Sequence, residues 1–192
     1  MQKSRTPSLL IGAEVVGAAV AILDVDGPDG FTVRAIAKRA NVAPMAIYNH
    51  FGGVSGLIDQ LWIQGFSMLR EAISHRNDDV DVEFMSAGLG YRRFALDNRG
   101  LYTIMFLHQF RNYEPSPESE LVAAGTFDAL VGIVERAQSV NRVGGGSASD
   151  AAQIIWSACH GYVSLELNRV NFAHDANDAY LKLLETLRRG LR

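Results

Sequence analysis

Apolar residues recur along almost the whole chain at intervals of three and four, the spacing that gathers them on one side of a helix. Read this way, a first helix runs from Pro7 to about Val25, with Leu10, Ile11, Val15, Ala18, Ala19 and Ile22 on its inner side. The turn formers Asp26-Gly27-Pro28-Asp29-Gly30 end it. A short helix follows from Val33 to Ala40, with Val33, Ile36, Ala37 and Ala40 inward and Thr32 as N-cap. Asn41 stands where the chain must turn sharply, and Asn tolerates a left-handed backbone. Val42 plugs the corner, and Pro44 opens a third helix at the position where a missing amide costs nothing. Ala46, Ile47 and Phe51 continue the inward face, leaving Met45, Tyr48, Asn49 and His50 to point elsewhere.

A fourth, longer helix is predicted from Val54 to Ser74, with Leu57, Ile58, Leu61, Trp62, Phe66, Leu69 and Ile73 as its stripe. At 1.5 Å per residue it extends about 30 Å, enough to join a small head to a body. The acidic stretch from Asn77 to Asp81 marks a joint. Beyond it the spacing predicts helices from Val82 to Asp97, Gly100 to Phe110, and Pro117 to about Val140. Two more follow: one capped by Ser149 and reaching about Asn171, and one starting at Asp175 or Asn177 and ending at Arg192. The run Val143-Gly144-Gly145-Gly146-Ser147 reads as a linker; no strand precedes it and no Gly-Lys-Ser/Thr follows, so it is not a phosphate loop. We find no convincing strand and no internal repeat. The expected fold is all-α, with a three-helix N-terminal domain over 1–52 and a helical domain over 53–192.

Charge sharpens the picture of the head. From Phe31 through Ile58 there is no Asp or Glu, while Arg34, Lys38 and Arg39 are present, in a chain of net charge -3. An acid-free, basic pair of helices joined by a tight turn suits a phosphate-facing surface, the second helix entering a major groove. A helical hairpin buried in a larger core is the plain alternative.

The residue identities favour the first. Thr32-Val33, Ile36-Ala37, Ala40-Asn41-Val42, Ile47-Tyr48-Asn49-His50-Phe51 and Leu57 resemble the DNA-binding signature of TetR-family transcriptional regulators. The resemblance covers about a quarter of the chain, and its Tyr-x-His-Phe ending is specific. Asn41 replaces a turn glycine, Ala43 a common Ser, and Val54 a common Lys. Matched position by position, the resemblance implies phosphate contacts from Thr32, Tyr48 and His50, with Arg34 and Lys38 near the backbone. Ala43, Pro44, Met45 and Asn49 then lie closest to the bases. Pro44 and Met45 offer thymine methyls only apolar surface, and Asn49 alone can hydrogen-bond a base. Lys3 and Arg5 form a short arm that could approach phosphates, though basic termini are more often simply solvated.

In the second domain, Trp156-Ser157-Ala158-Cys159-His160-Gly161 puts Trp156 and His160 on one helical face, and the segments around Tyr91–Leu96 and Leu101–Phe106 are rich in aromatic residues and Met. These resemble the regulatory domain of a TetR subgroup with a Trp-x-x-x-His-Gly motif, which implies a pocket for a mainly hydrophobic small molecule. Its candidate lining is Phe66, Met85, Arg92, Tyr102, Met105, Phe106, Trp156 and His160, with Arg92 or His160 available for one polar or anionic group. Simple core packing is the alternative for each of them. Ile154, Ile155, Ala158, Tyr162 and Leu165 on one late helix, and Tyr180, Leu183, Leu184, Leu187 and Leu191 on the other, exceed what one small bundle hides. In TetR-like proteins such helices pair in a homodimer.

The remaining chemistry narrows the function. The five histidines, at 50, 75, 108, 160 and 174, have no metal-ligand spacing, so no metal or cofactor is expected. No nucleophile elbow, dinucleotide fingerprint or Walker loop is present, so no enzyme is expected. The single Cys159 fits a reducing cytoplasm and a buried structural thiol. The N-terminal apolar run is interrupted by Glu14 and Asp24, so neither a signal peptide nor a membrane span is expected. The leading expectation is a ligand-responsive repressor that binds a palindromic double-stranded DNA operator as a homodimer. The other is a helical protein-interaction module that has lost specific operator binding.

Overall fold

The computed structural model describes residues 8–107, 110, 113–144 and 146–191, and every described element is helical. The arm at Lys3 and Arg5, Pro7, Asn112 and Arg192 lie outside the described residues. The helices are α1 (Ser8–Val25), α2 (Val33–Arg39), α3 (Pro44–Phe51), α4 (Val54–Ile73), α5 (Val80–Asp97), α6 (Arg99–Tyr102), α7 (Pro117–Ser139), α8 (Ala148–Leu167) and α9 (Ala176–Gly190). Packing divides them into two compact units. One holds residues 1–65 and 98–121, the other 66–97 and 122–192. The grouping by packing is therefore not sequential: α6 joins the unit that contains α1 to α3, and α4 and α7 each run from one unit into the other.

In the first unit, Val15, Ala19 and Ile22 of α1 meet Ile36, Ala37 and Ile47 in a buried core closed by Leu57, Ile58 and Leu61 of α4. The caps follow the sequence. Thr32 is extended, and its hydroxyl accepts from the Ala35 amide at 3.2 Å. Asn41 takes the left-handed conformation at φ 54°. The corner between α3 and α4 takes two positive-φ residues, Gly52 at 71° and Gly53 at 117°, and the second lies outside the left-handed well in a region that suits glycine. Gly100 at the start of α6 donates its amide to Asp24 of α1 at 2.8 Å, and a methyl there would lie 2.7 Å from Leu23.

The segment expected as one helix from Gly100 to Phe110 is corrected: α6 ends at Tyr102 and a π turn follows over Thr103–Leu107. Leu101, Tyr102, Ile104 and Met105 are all buried. These four lie on one broad inward face, and the π turn interrupts the α-helix along it. Met105 seats its sulfur on Gly65 of α4, where no side chain is in the way.

The second unit is built on α5, α8 and α9 with the far halves of α4 and α7. Asp79 caps α5, accepting from the amides of Asp81 (2.9 Å) and Val82 (3.4 Å), so the helix begins at Val80, two residues before the expected start. Ser147, not Ser149, caps α8: it is the extended residue, and its hydroxyl accepts from Asp150 at 3.2 Å. α8 ends at Leu167, four residues before the expected Asn171. Arg169 turns left-handed at φ 59°, and the Val170 amide reaches back to the Leu165 carbonyl at 2.9 Å, a Schellman-type stop. α9 starts on Asp175, which accepts from Asn177 and Asp178. Glu83, buried to 2% exposure, is held by a two-pronged bond from Arg136 at 3.1 and 2.6 Å.

Candidate nucleic-acid interface and ligand cavity

The inward positions of α2 and α3 bury Ile36, Ala37, Ala40 and Ile47, and this decides what the outer face presents. Thr32, Arg34, Lys38 and Arg39 are exposed on α2, and Pro44, Met45, Tyr48, Asn49 and His50 on α3. Met45 is 63% exposed and Tyr48 51%. A methionine and a tyrosine this open on an eight-residue helix bury little of their apolar surface within the chain. The first turn of α3 has no side-chain cap, because Ala43 offers no oxygen.

Two neighbours of this face were not legible as such in the sequence. The Tyr48 ring lies over Gly53, where a methyl would sit 3.5 Å from its carbons. His50 packs edge-on to Phe51, with centroids 4.7 Å apart, and its Nε2 fills the space beside Gly12 of α1. On α4, a side chain at Gly56 would run into the Phe51 carbonyl, so the end of α3 rests directly on α4 backbone. One turn further along, Asp59 collects three donors through one oxygen: the Ser119 hydroxyl (2.7 Å), the Tyr113 hydroxyl (2.9 Å) and the Ser116 amide (3.1 Å). Partial burial works to raise the Asp59 pKa, but these bonds outweigh it and hold the carboxyl below its ordinary value.

The candidate ligand residues fall into two groups. Tyr102, Met105 and Phe106 belong to the first unit, where Tyr102 and Phe106 pack ring on ring at 4.9 Å. Phe66, Met85, Arg92, Trp156 and His160 belong to the second. Phe66 is buried, and its carbonyl accepts the Thr126 hydroxyl at 3.0 Å; Met85 is half-buried on α5. Arg92 is engaged by its own chain: it donates to both Glu166 oxygens at 2.8 and 2.6 Å and to Asn177 at 2.7 Å, and lies 5.5 Å from the Tyr180 ring centroid.

Trp156 stands at a cavity. Two small voids, about 30 Å³ and about 20 Å³, share Ile73, Tyr91, Leu130 and Trp156 in their walls. The first is also lined by Phe84, Ile155 and Cys159 among others, and Leu69, Thr126 and Phe127 complete the second. Trp156 stacks on Phe127 at 5.5 Å and 28°, and its indole N–H donates to the Tyr91 hydroxyl at 3.2 Å. His160 Nδ1 is 3.4 Å from the same hydroxyl, and its Nε2 is 3.4 Å from Ser164. Burial lowers the His160 pKa, which favours the neutral ring that such a chain of bonds needs. Burial also pushes the Cys159 thiol up to about 11, against a smaller opposing effect of Tyr180. Tyr91, Phe127 and Leu130 were not among the sequence candidates; they pair with Trp156 from other helices, and no local spacing signals that. Among the described residues there is no cluster able to hold a metal ion and no helix long and apolar enough to cross a membrane.

Comparison with known proteins bears on the family and the fold. A family model for bacterial regulatory proteins of the tetR family matches residues 15–61, and one for a tetracyclin repressor-like C-terminal domain matches 84–187. An uncharacterized HTH-type transcriptional regulator of Bacillus subtilis is 30% identical over 97 residues, 48% of this chain, and the match spans only half (50%) of that relative. Another, from Mycobacterium tuberculosis, is 26% identical over 189 residues, covering 96% of this chain and 83% of the relative. A solved structure of a protein of unknown function from Rhodococcus sp. RHA1 superposes with a TM-score of 0.83 at 25% identity, over 100% of this chain and 99% of that one. The fold is also that of a TetR variant from Acinetobacter baumannii AYE in complex with minocycline, at a TM-score of 0.66, 21% identity and coverage of 92% and 93%.

Proposed function

We propose, from the premise that this chain belongs to the TetR family of transcriptional regulators, that it is a repressor which binds a palindromic operator as a homodimer and answers a mainly hydrophobic small molecule. The observation that carries the reading is the outer face of α2 and α3. Over it Met45, Tyr48, Asn49 and His50 stand exposed beside Arg34 and Lys38, with no acidic residue from Phe31 through Ile58. Thr32, Tyr48 and His50 then bind phosphates, which sets register, while Ala43, Pro44, Met45 and Asn49 face base edges, which sets sequence. As expected of a family of regulators, no catalytic role is assigned.

Exposed Ile154 and Leu165 lie on one side of α8, with Leu181 exposed on α9, an apolar face that supports pairing with a second copy. A twofold dimer sets its two α3 helices about 34 Å apart, one turn of DNA, or a multiple of it. A monomeric mass by light scattering at micromolar concentration would remove this part of the reading. The ligand acts by binding the DNA-competent and DNA-incompetent states unequally, with a coupling of about 1–3 kcal/mol. The minocycline complex of a related fold supports a small-molecule effector; the apolar walls around Trp156 support its class.

The test is a gel shift on the DNA flanking the chain's own gene, repeated over a salt series. Specific binding whose affinity falls steeply with salt is expected. Absence of any binding would instead favour the head as a protein-interaction module, the reading that the missing side-chain cap at Ala43 keeps in view.

A further inference from the structure

We propose that the first turn of α3 reads the C5 methyl group of a pyrimidine, so that the operator carries a thymine there and 5-methylcytosine serves in its place. This rests on the operator-binding reading above and adds the chemistry of the base that is read.

The N-terminal residues of a recognition helix are the ones that meet base edges in the major groove. In α3 these are Ala43 at the cap, followed by Pro44, Met45 and Ala46. Four consecutive residues thus bring no side-chain donor or acceptor. Pro44 has no amide to offer, and the Ala46 amide already donates to the Ala43 carbonyl at 2.8 Å. What the turn presents is carbon. Met45 is 63% exposed, Ala43 and Pro44 are exposed beside it, and an unbranched thioether adapts its shape to a small apolar group.

Among the base edges in the major groove, the thymine methyl is the one apolar group. The other edges are donors and acceptors, and pressing them against carbon removes their water without replacing its bonds. The commonest specific contact, Arg or Lys to guanine, is closed to α3, which has neither residue; Arg34, Lys38 and Arg39 all stand on α2. The polar reader of α3 is Asn49, four residues beyond Met45 and therefore on the same face. That separation is about 6 Å along the axis, nearly two base steps of about 3.4 Å. The helix accordingly asks for a methyl group at one position and, about two pairs away, for an adenine edge that Asn49 can bond twice.

Cytosine carries a hydrogen where thymine carries its methyl, and 5-methylation puts the same group at the same place in the groove. A turn that selects through carbon alone responds to that group whichever pyrimidine bears it. Cytosine methylation of the DNA therefore strengthens sites that ordinary cytosine weakens.

The experiment selects a site with the full chain from a pool of random-sequence duplexes, then alters the DNA of that site. Thymines are replaced one position at a time, in both half-sites, by uracil, cytosine or 5-methylcytosine. At one position uracil should weaken binding about fourfold per methyl, and about fifteenfold with both half-sites changed. Cytosine there should bind no better than uracil, and 5-methylcytosine should recover about fourfold per half-site over cytosine. Met45→Ala should shrink the methyl effect to less than about twofold. Asn49→Ala should keep that effect and lose the preference for adenine instead. The first comparisons change only the DNA, so they read out whatever the variants do; circular dichroism checks that both variants fold. A selected site indifferent to uracil at every thymine, or one that binds 5-methylcytosine no better than cytosine, overturns this inference and leaves operator binding standing. A methyl effect undiminished in Met45→Ala overturns the assignment to this turn. A pool from which no sequence is enriched overturns the operator-binding reading, and this inference with it.

Discussion

Gly12 on α1 and His50 on α3 occupy complementary space: a methyl group on Gly12 would lie 2.5 Å from Nε2 of His50. The absence of a side chain at one position thus sets the attitude of an exposed imidazole at the other. Gly12→Ala should tilt the ring outward and cost little stability, within about 1 kcal/mol, since an exposed ring can move. Operator affinity should nevertheless fall about tenfold if the ring meets phosphate. A thermal melt and a gel shift on the same variant separate the two effects, and unchanged DNA affinity would show that His50 makes no such contact.

Tyr48 and Lys38 share the face but differ in charge, so their loss should be told apart by salt. Tyr48→Ala should weaken all DNA sequences alike, about three- to tenfold, with the salt slope unaltered. Lys38→Ala should lower the slope by about 0.9, one counterion fewer. A change of base preference in Tyr48→Ala, with overall affinity intact, would mean the positioning role is wrongly given.

Asp59 fixes the start of α7 against α4 through Ser119, Tyr113 and Ser116. Asp59→Ala strands the Ser119 hydroxyl, which is fully buried, and should cost about 1–3 kcal/mol in denaturant unfolding. The acid limb provides the second readout. The folded pKa lies below the ordinary 3.8, so the contribution is fully present above that value and is lost as pH falls through the folded one. Asp59→Asn should flatten the stability curve in that range only.

His160 works at milder pH. Its folded pKa lies below the ordinary 6.5, so above that value both states are neutral and stability is unaffected. Below it the unfolded chain takes up a proton that the folded ring resists, and stability falls. Denaturant midpoints at pH 7.5 and 5.5 should differ less in His160→Asn than in the parent; an equal difference would place the titration elsewhere.

The parts of this molecule that were legible in the sequence are those fixed by neighbours a few residues away. Thr32 caps α2 because its hydroxyl needs only the amide three positions on, and Asn41 turns the corner because its backbone tolerance is its own. The inward face of α2 and α3, and so the outer face left over, follows from a 3.6-residue period. Even local reading stumbled where two candidates competed: Ser147 and Ser149 both suit a cap, and only the backbone at Ser147 decides. The π turn after Tyr102 carries no local sequence signal, since its apolar residues keep the spacing of an ordinary helix.

The cavity was legible only in part, for the same reason. Trp156 and His160 share a helical face, so their proximity could be read, but Tyr91, which bonds the Trp156 indole, is 65 positions away. Arg92 looked available for an anion because Glu166 and Asn177 come from elsewhere in the chain. Asp59 gave no signal at all: an acid on a helix reads as solvated until the start of α7 closes over it.

The buried, protonated state of Cys159 has a practical reach. With its thiol pushed up to about 11 and its side chain covered, it will ignore maleimides at neutral pH, and it is the chain's single cysteine. A cysteine installed at Gly17, an exposed position on α1 where an added side chain meets nothing within 4 Å, is then the sole labelling site without any native residue being removed. A fluorophore there, placed on the first unit without disturbing any native side chain, would test by its change in emission whether a small molecule added to the protein is felt at α1.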